Sequence, residues 1–191
     1  ELINQYITDN PEDLDGHAGR IVYDFLIINQ NPDKKNIETI LEHLDDYSKK
    51  IDNLLKQADT VQNRFHRCFA DYYYMKSYAL NNDWLASFSH ASRSRSAAVE
   101  LEKNIDSLPD LYFILGDQDY TTALVPETLQ PFMKLISFSP DPDSGLKYLE
   151  LAMQNGVLTR QEAKIFYISS AIYIEKNYDK ALSVAEEFLS N

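Results

Sequence analysis

The sequence predicts an all-α chain built from antiparallel helical hairpins, and three observations carry that prediction. Glycine occurs only 5 times in 191 residues, too rarely for the turns of a large β protein or for a phosphate-cradling loop. Apolar residues recur at spacings of three and four, and no segment reads as a convincing strand. Cap and proline signatures stand where those periodic runs begin. The chain is 44% apolar, enough to bury a core.

Taken in order, Asn10-Pro11-Glu12-Asp13 reads as an N-cap, a proline at the first helical position and two acids facing the positive end of the helix dipole. The helix that follows carries Ile21, Val22, Phe25, Leu26 and Ile28, and stops near Asn29 to Pro32. A longer helix places Ile37, Ile40, Leu41, Leu44, Tyr47, Ile51, Leu54 and Leu55 on one stripe. The short Asn31-Pro32-Asp33 turn between the two makes them antiparallel. A second pair runs from about Thr60 to Leu80 and from Asp83 to Asn104, broken at Asn81-Asn82-Asp83. A third begins at Pro109 and reaches about Leu124. Pro126, Pro131 and Pro140 then punctuate an apolar stretch, read as a short helix kinked at Pro131. Asp141-Pro142-Asp143 opens another helix that Gly156 ends. Thr159 and Glu162 form a capping box, and the last two helices part at Lys176-Asn177. The sum is about nine helices.

The hairpin ends repeat. Trp84, Ser87, Ala91 and Ser94 share their spacing with Tyr178, Ala181, Ala185 and Phe188, and Gly145, Leu149 and Ala152 match its last three places. Small residues there let two helices cross closely. Gly145 to Ala181 spans 36 residues, near the roughly 34 of a tetratricopeptide repeat (TPR). Asn177-Tyr178-Asp179-Lys180-Ala181-Leu182 and Leu115-Gly116 with Tyr120 resemble that superfamily. The run from Asp117 to Pro126, with Gly145-Leu146 and Glu162-Ala163-Lys164, is similar to a group of bacterial TPR-like proteins of uncharacterised function. The likeness covers about residues 60–191. It implies an α–α superhelix of about four hairpins: a divergent one over 1–58, then 60–104, 109–155 enlarged by an insertion at 126–140, and 159–191, all within one domain. The insertion is expected to pack on the concave side or cap a groove mouth.

The family likeness also implies a scaffold that binds protein or peptide without catalysis. Carrying the family's concave-face places onto this chain selects Tyr72, Lys76, Phe113, Asp117, Tyr120, Phe166, Ser170 and Tyr173 as candidate partner-binding residues. Tyrosine and phenylalanine at such places also fill the space between hairpins, so core packing stands beside that reading. The alternative function is a cell-envelope accessory protein that holds a small molecule or carbohydrate in the same pocket.

Other chemistries find little support. A net charge of −12 disfavours nucleic acid and anionic lipid. The residues three before His17, His43, His66 and His90 are Leu14, Ile40, Asn63 and Ser87, so Glu-x-x-His is absent, and no histidine precedes a glutamate. Asp141-x-Asp143-x-Gly145 echoes a calcium loop, but Ala152 stands at the twelfth place. Cys68, the lone cysteine, reads as a buried helical residue. Arg93 and Arg95 fall on different helix faces and read as ion-pair partners rather than a phosphate clamp. No cofactor, metal site or catalytic set is expected. No stretch approaches a membrane span. A homo-oligomer is compatible with the sequence. The start at Glu1, without methionine, leaves both cytoplasm and periplasm open. Charge is uneven: residues 61–110 carry 6 acids and 6 bases while the flanking segments are acidic. A binding surface is expected first in that neutral middle.

Overall fold

The computed structural model describes residues 2–124 and 141–190. The insertion expected at 126–140, with its kink at Pro131, lies outside them. Nine α-helices and no strand occur among the described residues: α1 (Leu2–Asp9), α2 (Leu14–Gln30), α3 (Lys34–Gln57), α4 (Val61–Leu80), α5 (Trp84–Leu101), α6 (Leu111–Ala123), α7 (Pro142–Asn155), α8 (Arg160–Tyr173) and α9 (Tyr178–Ser190), with a 3-10 turn at Glu102–Ser107 after α5. The chain divides into two units, residues 1–108 and 109–191.

In the first unit each helix packs on its neighbour in sequence, and α2 also reaches α4. The expected stripe of α3 is the buried one: Ile37, Ile40, Leu44, Tyr47 and Ile51 face the core, while Leu41, Leu54 and Leu55 are half-buried. Opposite them stand Ile21, Phe25 and Ile28 of α2 and Phe65, Phe69, Tyr72 and Tyr73 of α4. Each such side chain contributes roughly 1.5–3 kcal/mol by leaving water. Thr60 caps α4 by accepting from the Asn63 amide, and Asp83 caps α5 through Ala86. Ser87, one of the small repeat residues, donates its hydroxyl to the Met75 carbonyl at 2.9 Å. Cys68 is buried and its Sγ donates to the Ser94 carbonyl. Burial pushes that thiol up to about 12, so no thiolate forms near neutrality.

The start of α2 differs from expectation. The cap is Asp13, whose carboxylate accepts from the amides of Asp15 and Gly16, not Asn10. Asn10 instead closes α1, its backbone and side-chain N–H groups both bonding to the Tyr6 carbonyl. The short helix α1 explains the shift. Its Tyr6 donates a 2.8 Å hydrogen bond to Asp13 Oδ2, and the ring lies across Gly16, where a Cβ would come within 2.8 Å of it. Asp13 is thereby fixed as the acceptor, and Gly16 makes room for the ring.

In the second unit α6 packs on α7, α7 on α8 and α8 on α9. Helices α6 and α7 cross where Gly116 and Gly145 meet. A Cβ on Gly145 would sit 2.6 Å from the Tyr120 amide nitrogen, and one on Gly116 2.9 Å from the Leu149 nitrogen. Asp141 caps α7 by accepting from the Ser144 amide, which accounts for the calcium-loop echo as capping. Asn177 Oδ1 accepts from the Lys180 amide at the start of α9.

The capping box at Thr159 is not formed. Thr159 makes no side-chain cap bond; its hydroxyl donates 2.8 Å to Asp110 Oδ1. The same oxygen accepts the amides of Val157, Leu158 and Thr159 at 3.0, 2.9 and 2.8 Å. Asp110, just before α6, thus holds the turn between α7 and α8, a bond across 49 residues that outcompetes the local cap.

Candidate functional site

The residues of α4 that face away from α2 recur at four, three and four: Arg67, Asp71, Tyr74 and Tyr78. That period keeps them on one stripe. The stripe floors an open groove of about 780 Å³, with α3 contributing Asp45 and Ser48 to one wall and α5 contributing His90, Arg93 and Ser96 to the other. From Arg67 to Tyr78 the floor runs about 16 Å, at 1.5 Å per helical residue.

Hydrogen bonds hold Arg67, Asp71 and Tyr74 of the floor in place. At one end Arg67 donates from Nη1 to Ser48 Oγ at 3.3 Å and from Nη2 to the Ser48 carbonyl at 3.2 Å, and pairs with Asp52. Arg64 closes the same end by bonding Asp59 and, at 3.0 Å, Glu100 of α5. In the middle lies Asp71, only 5% exposed. It accepts from Arg93 Nε at 3.0 Å and stands 2.7 Å from His90 Nδ1. Arg93 also donates to Ser89 Oγ, and its Nη2 lies 2.7 Å from the same His90 nitrogen. A proton on Nδ1 serves Asp71; without it, Nδ1 accepts from Arg93. The guanidinium therefore sits half exposed but fixed, with N–H groups left over for a ligand.

The other end is aromatic. Tyr74, Tyr78 and His90 lie within 25° of parallel, Tyr74 and Tyr78 6.0 Å from each other and 4.5 and 5.4 Å from His90. Tyr74 donates its hydroxyl to Asp45 Oδ1 at 2.5 Å. Burial and that acceptor push the Tyr74 hydroxyl far up, so it remains a donor throughout the ordinary pH range. Tyr78, less enclosed, is pushed up by burial and by the charges of Asp45 and Asp83.

The residues chosen from sequence fall elsewhere. Tyr72 is fully buried and meets Tyr73 edge to face. Lys76 lies 4.5 Å above the Phe25 ring and donates to the Tyr72 hydroxyl at 3.0 Å. Both face α2, the side of α4 opposite the groove. In the second unit the structure brings three of the candidates together: Phe166 meets Phe113 at 6.5 Å and Tyr120 at 6.0 Å, each edge to face. Phe113, Asp117, Tyr120 and Ser170 are buried, and Tyr173 stands apart, 79% exposed. Asp71, Tyr74, Tyr78 and His90 lie outside the residues that the sequence singles out; the period of the α4 stripe is the signal that marks the first three. Arg93 and Arg95 do part as expected, Arg93 to the groove and Arg95 to the interior.

Among the described residues no group of three or more His, Cys, Asp or Glu is placed to hold a metal ion, and no helix is long and apolar enough to cross a membrane. No family model, curated protein or solved structure matches the chain.

Proposed function

We propose that the chain is a non-catalytic scaffold of TPR-like hairpins that binds a short segment of a partner protein, and that the groove over α4 is its binding surface. The observation that carries the proposal is the groove itself: an open channel in which Arg93, Asp71 and His90 bond one another, Arg67 bonds Ser48 and Asp52, and Tyr74 and Tyr78 stack with His90. Pinned groups lose little freedom when a ligand arrives. A floor of about 16 Å takes four to five extended residues at ~3.4 Å each. The buried small residues at the hairpin crossings, Ser87 and Ala181 among them, support the repeat reading.

A second reading, a small molecule or carbohydrate in the same groove, is favoured by its volume, which lies within the usual range for such ligands. Selection from a random peptide display library on the intact chain separates the two. Under the first reading peptides are enriched on the wild type, and enrichment is lost on Arg93→Ala and Tyr78→Ala variants that keep the wild-type helix signal. Enrichment that survives both substitutions contradicts the groove assignment. A specific rise in thermal midpoint with a sugar or metabolite, in the absence of any enriched peptide, favours the second reading.

A further inference from the structure

We propose that the aromatic end of the groove is a cation subsite, taking the ammonium or guanidinium of a lysine or arginine side chain in a basic peptide. The inference rests on the groove being the binding surface, and it follows from how the groove's charges are already distributed. Its own cations are matched: Arg67 pairs with Asp52, Arg93 with buried Asp71, and Arg64 with Asp59 and Glu100. The carboxylate at the aromatic end is not. Asp45 is exposed, and its bonded partner is the neutral Tyr74 hydroxyl. Asp83, also exposed, spends one oxygen on the Ala86 amide and stands close enough to raise the Tyr78 hydroxyl together with Asp45.

Beside Asp45 lies the stacked set of Tyr74, Tyr78 and His90, with Tyr78 the more open of the two tyrosines. A cation over a tyrosine face gains from the ring quadrupole, and more when a carboxylate stands beside it and water is partly excluded. The chain already uses this contact elsewhere: Lys76 lies 4.5 Å over Phe25 and Lys180 4.6 Å over Tyr167. A net charge of −12 enriches cations around the molecule and steers a basic segment toward it. Anionic ligands meet the opposite field, so a basic peptide is the occupant that the charges select.

The test uses glycine–serine pentapeptides with lysine, arginine, glutamine or glutamate at the centre, titrated into the intact, isotope-labelled chain while the Tyr74, Tyr78 and His90 ring signals are followed. The lysine and arginine peptides are expected to shift those signals saturably, with glutamine and glutamate about tenfold weaker or worse. Asp45→Asn, which keeps an acceptor for Tyr74, is expected to erase most of that preference, as is Tyr78→Leu, with the helix signal unchanged in both. Rising salt should weaken the preference. If all four peptides shift the groove alike, or glutamate binds best, the cation subsite is overturned while the groove reading stands. If none shifts the groove signals and the display selection also returns nothing there, both fall.

Discussion

Asp110 and His66 are the two residues whose buried polar contacts make the sharpest claims. Asp110 Oδ1 takes three backbone amides and the Thr159 hydroxyl. Removing the carboxylate strands those donors in a partly buried turn, so Asp110→Ala is expected to cost ~2–4 kcal/mol. Asp110→Asn, which keeps one acceptor but loses the charge, is expected to cost about half as much. Urea unfolding followed by circular dichroism checks both. His66 is buried against Tyr47, whose hydroxyl lies 2.6 Å from its Nδ1, and its Nε2 faces Asp15 at 3.6 Å. Burial holds the imidazole below its ordinary value, outweighing the pull of Asp15 and Asp13. The folded state therefore prefers the neutral ring. The stability this contributes is complete above the unfolded-state value of about 6.5 and is lost as pH falls through the lower folded-state value. His66→Gln keeps a hydrogen-bonding group for Tyr47 but does not titrate. Its urea midpoint should consequently fall less than the wild type's between about pH 7 and pH 5.

At the scale of elements, the crossing of α6 and α7 depends on two glycines. Alanine in a helix normally gains about 1 kcal/mol over glycine. Here a Cβ at Gly145 meets the backbone of Tyr120 at 2.6 Å, and α6 cannot yield without losing its own contacts. Gly145→Ala is expected to cost ~2–3 kcal/mol net, and Gly116→Ala somewhat less, since part of what it meets is the Leu149 side chain. Equal or greater stability in either variant would show that the helices part easily. These glycines were legible in the sequence because a close approach leaves a local mark at a repeat position. The cap at Asp141 was legible for the same reason: it bonds three residues ahead. The miss at Thr159 has the opposite cause: it gave up its capping box to Asp110, which is 49 residues away, and so distant a partner leaves no trace in local spacing. Asn10 yielded to Asp13 for a nearer reason, because Tyr6 of the short helix before it bonds the latter.

For the molecule as a whole, the near-neutral stretch 61–110 contains α4 and α5, and these supply the groove's floor and one of its walls. What the sequence could not convey was which face of α4 looks outward. Tyr72, Tyr73 and Tyr74 are consecutive, yet the first two are wholly buried and the third stacks at the groove. Only the packing of α2 on α4 decides between them. Placing the arginine and tyrosine stripe opposite that contact leaves Lys76 and Tyr72 as support for the helix from behind. The central claim is that the stripe is where a partner binds, and backbone and ring chemical-shift mapping of the intact chain with the strongest display-selected peptide tests it most directly. Saturable shifts centred on Arg67, Tyr74, Tyr78, His90 and Arg93 are the predicted result; shifts centred on Lys76, or on residues 109–191 with the groove silent, would contradict it.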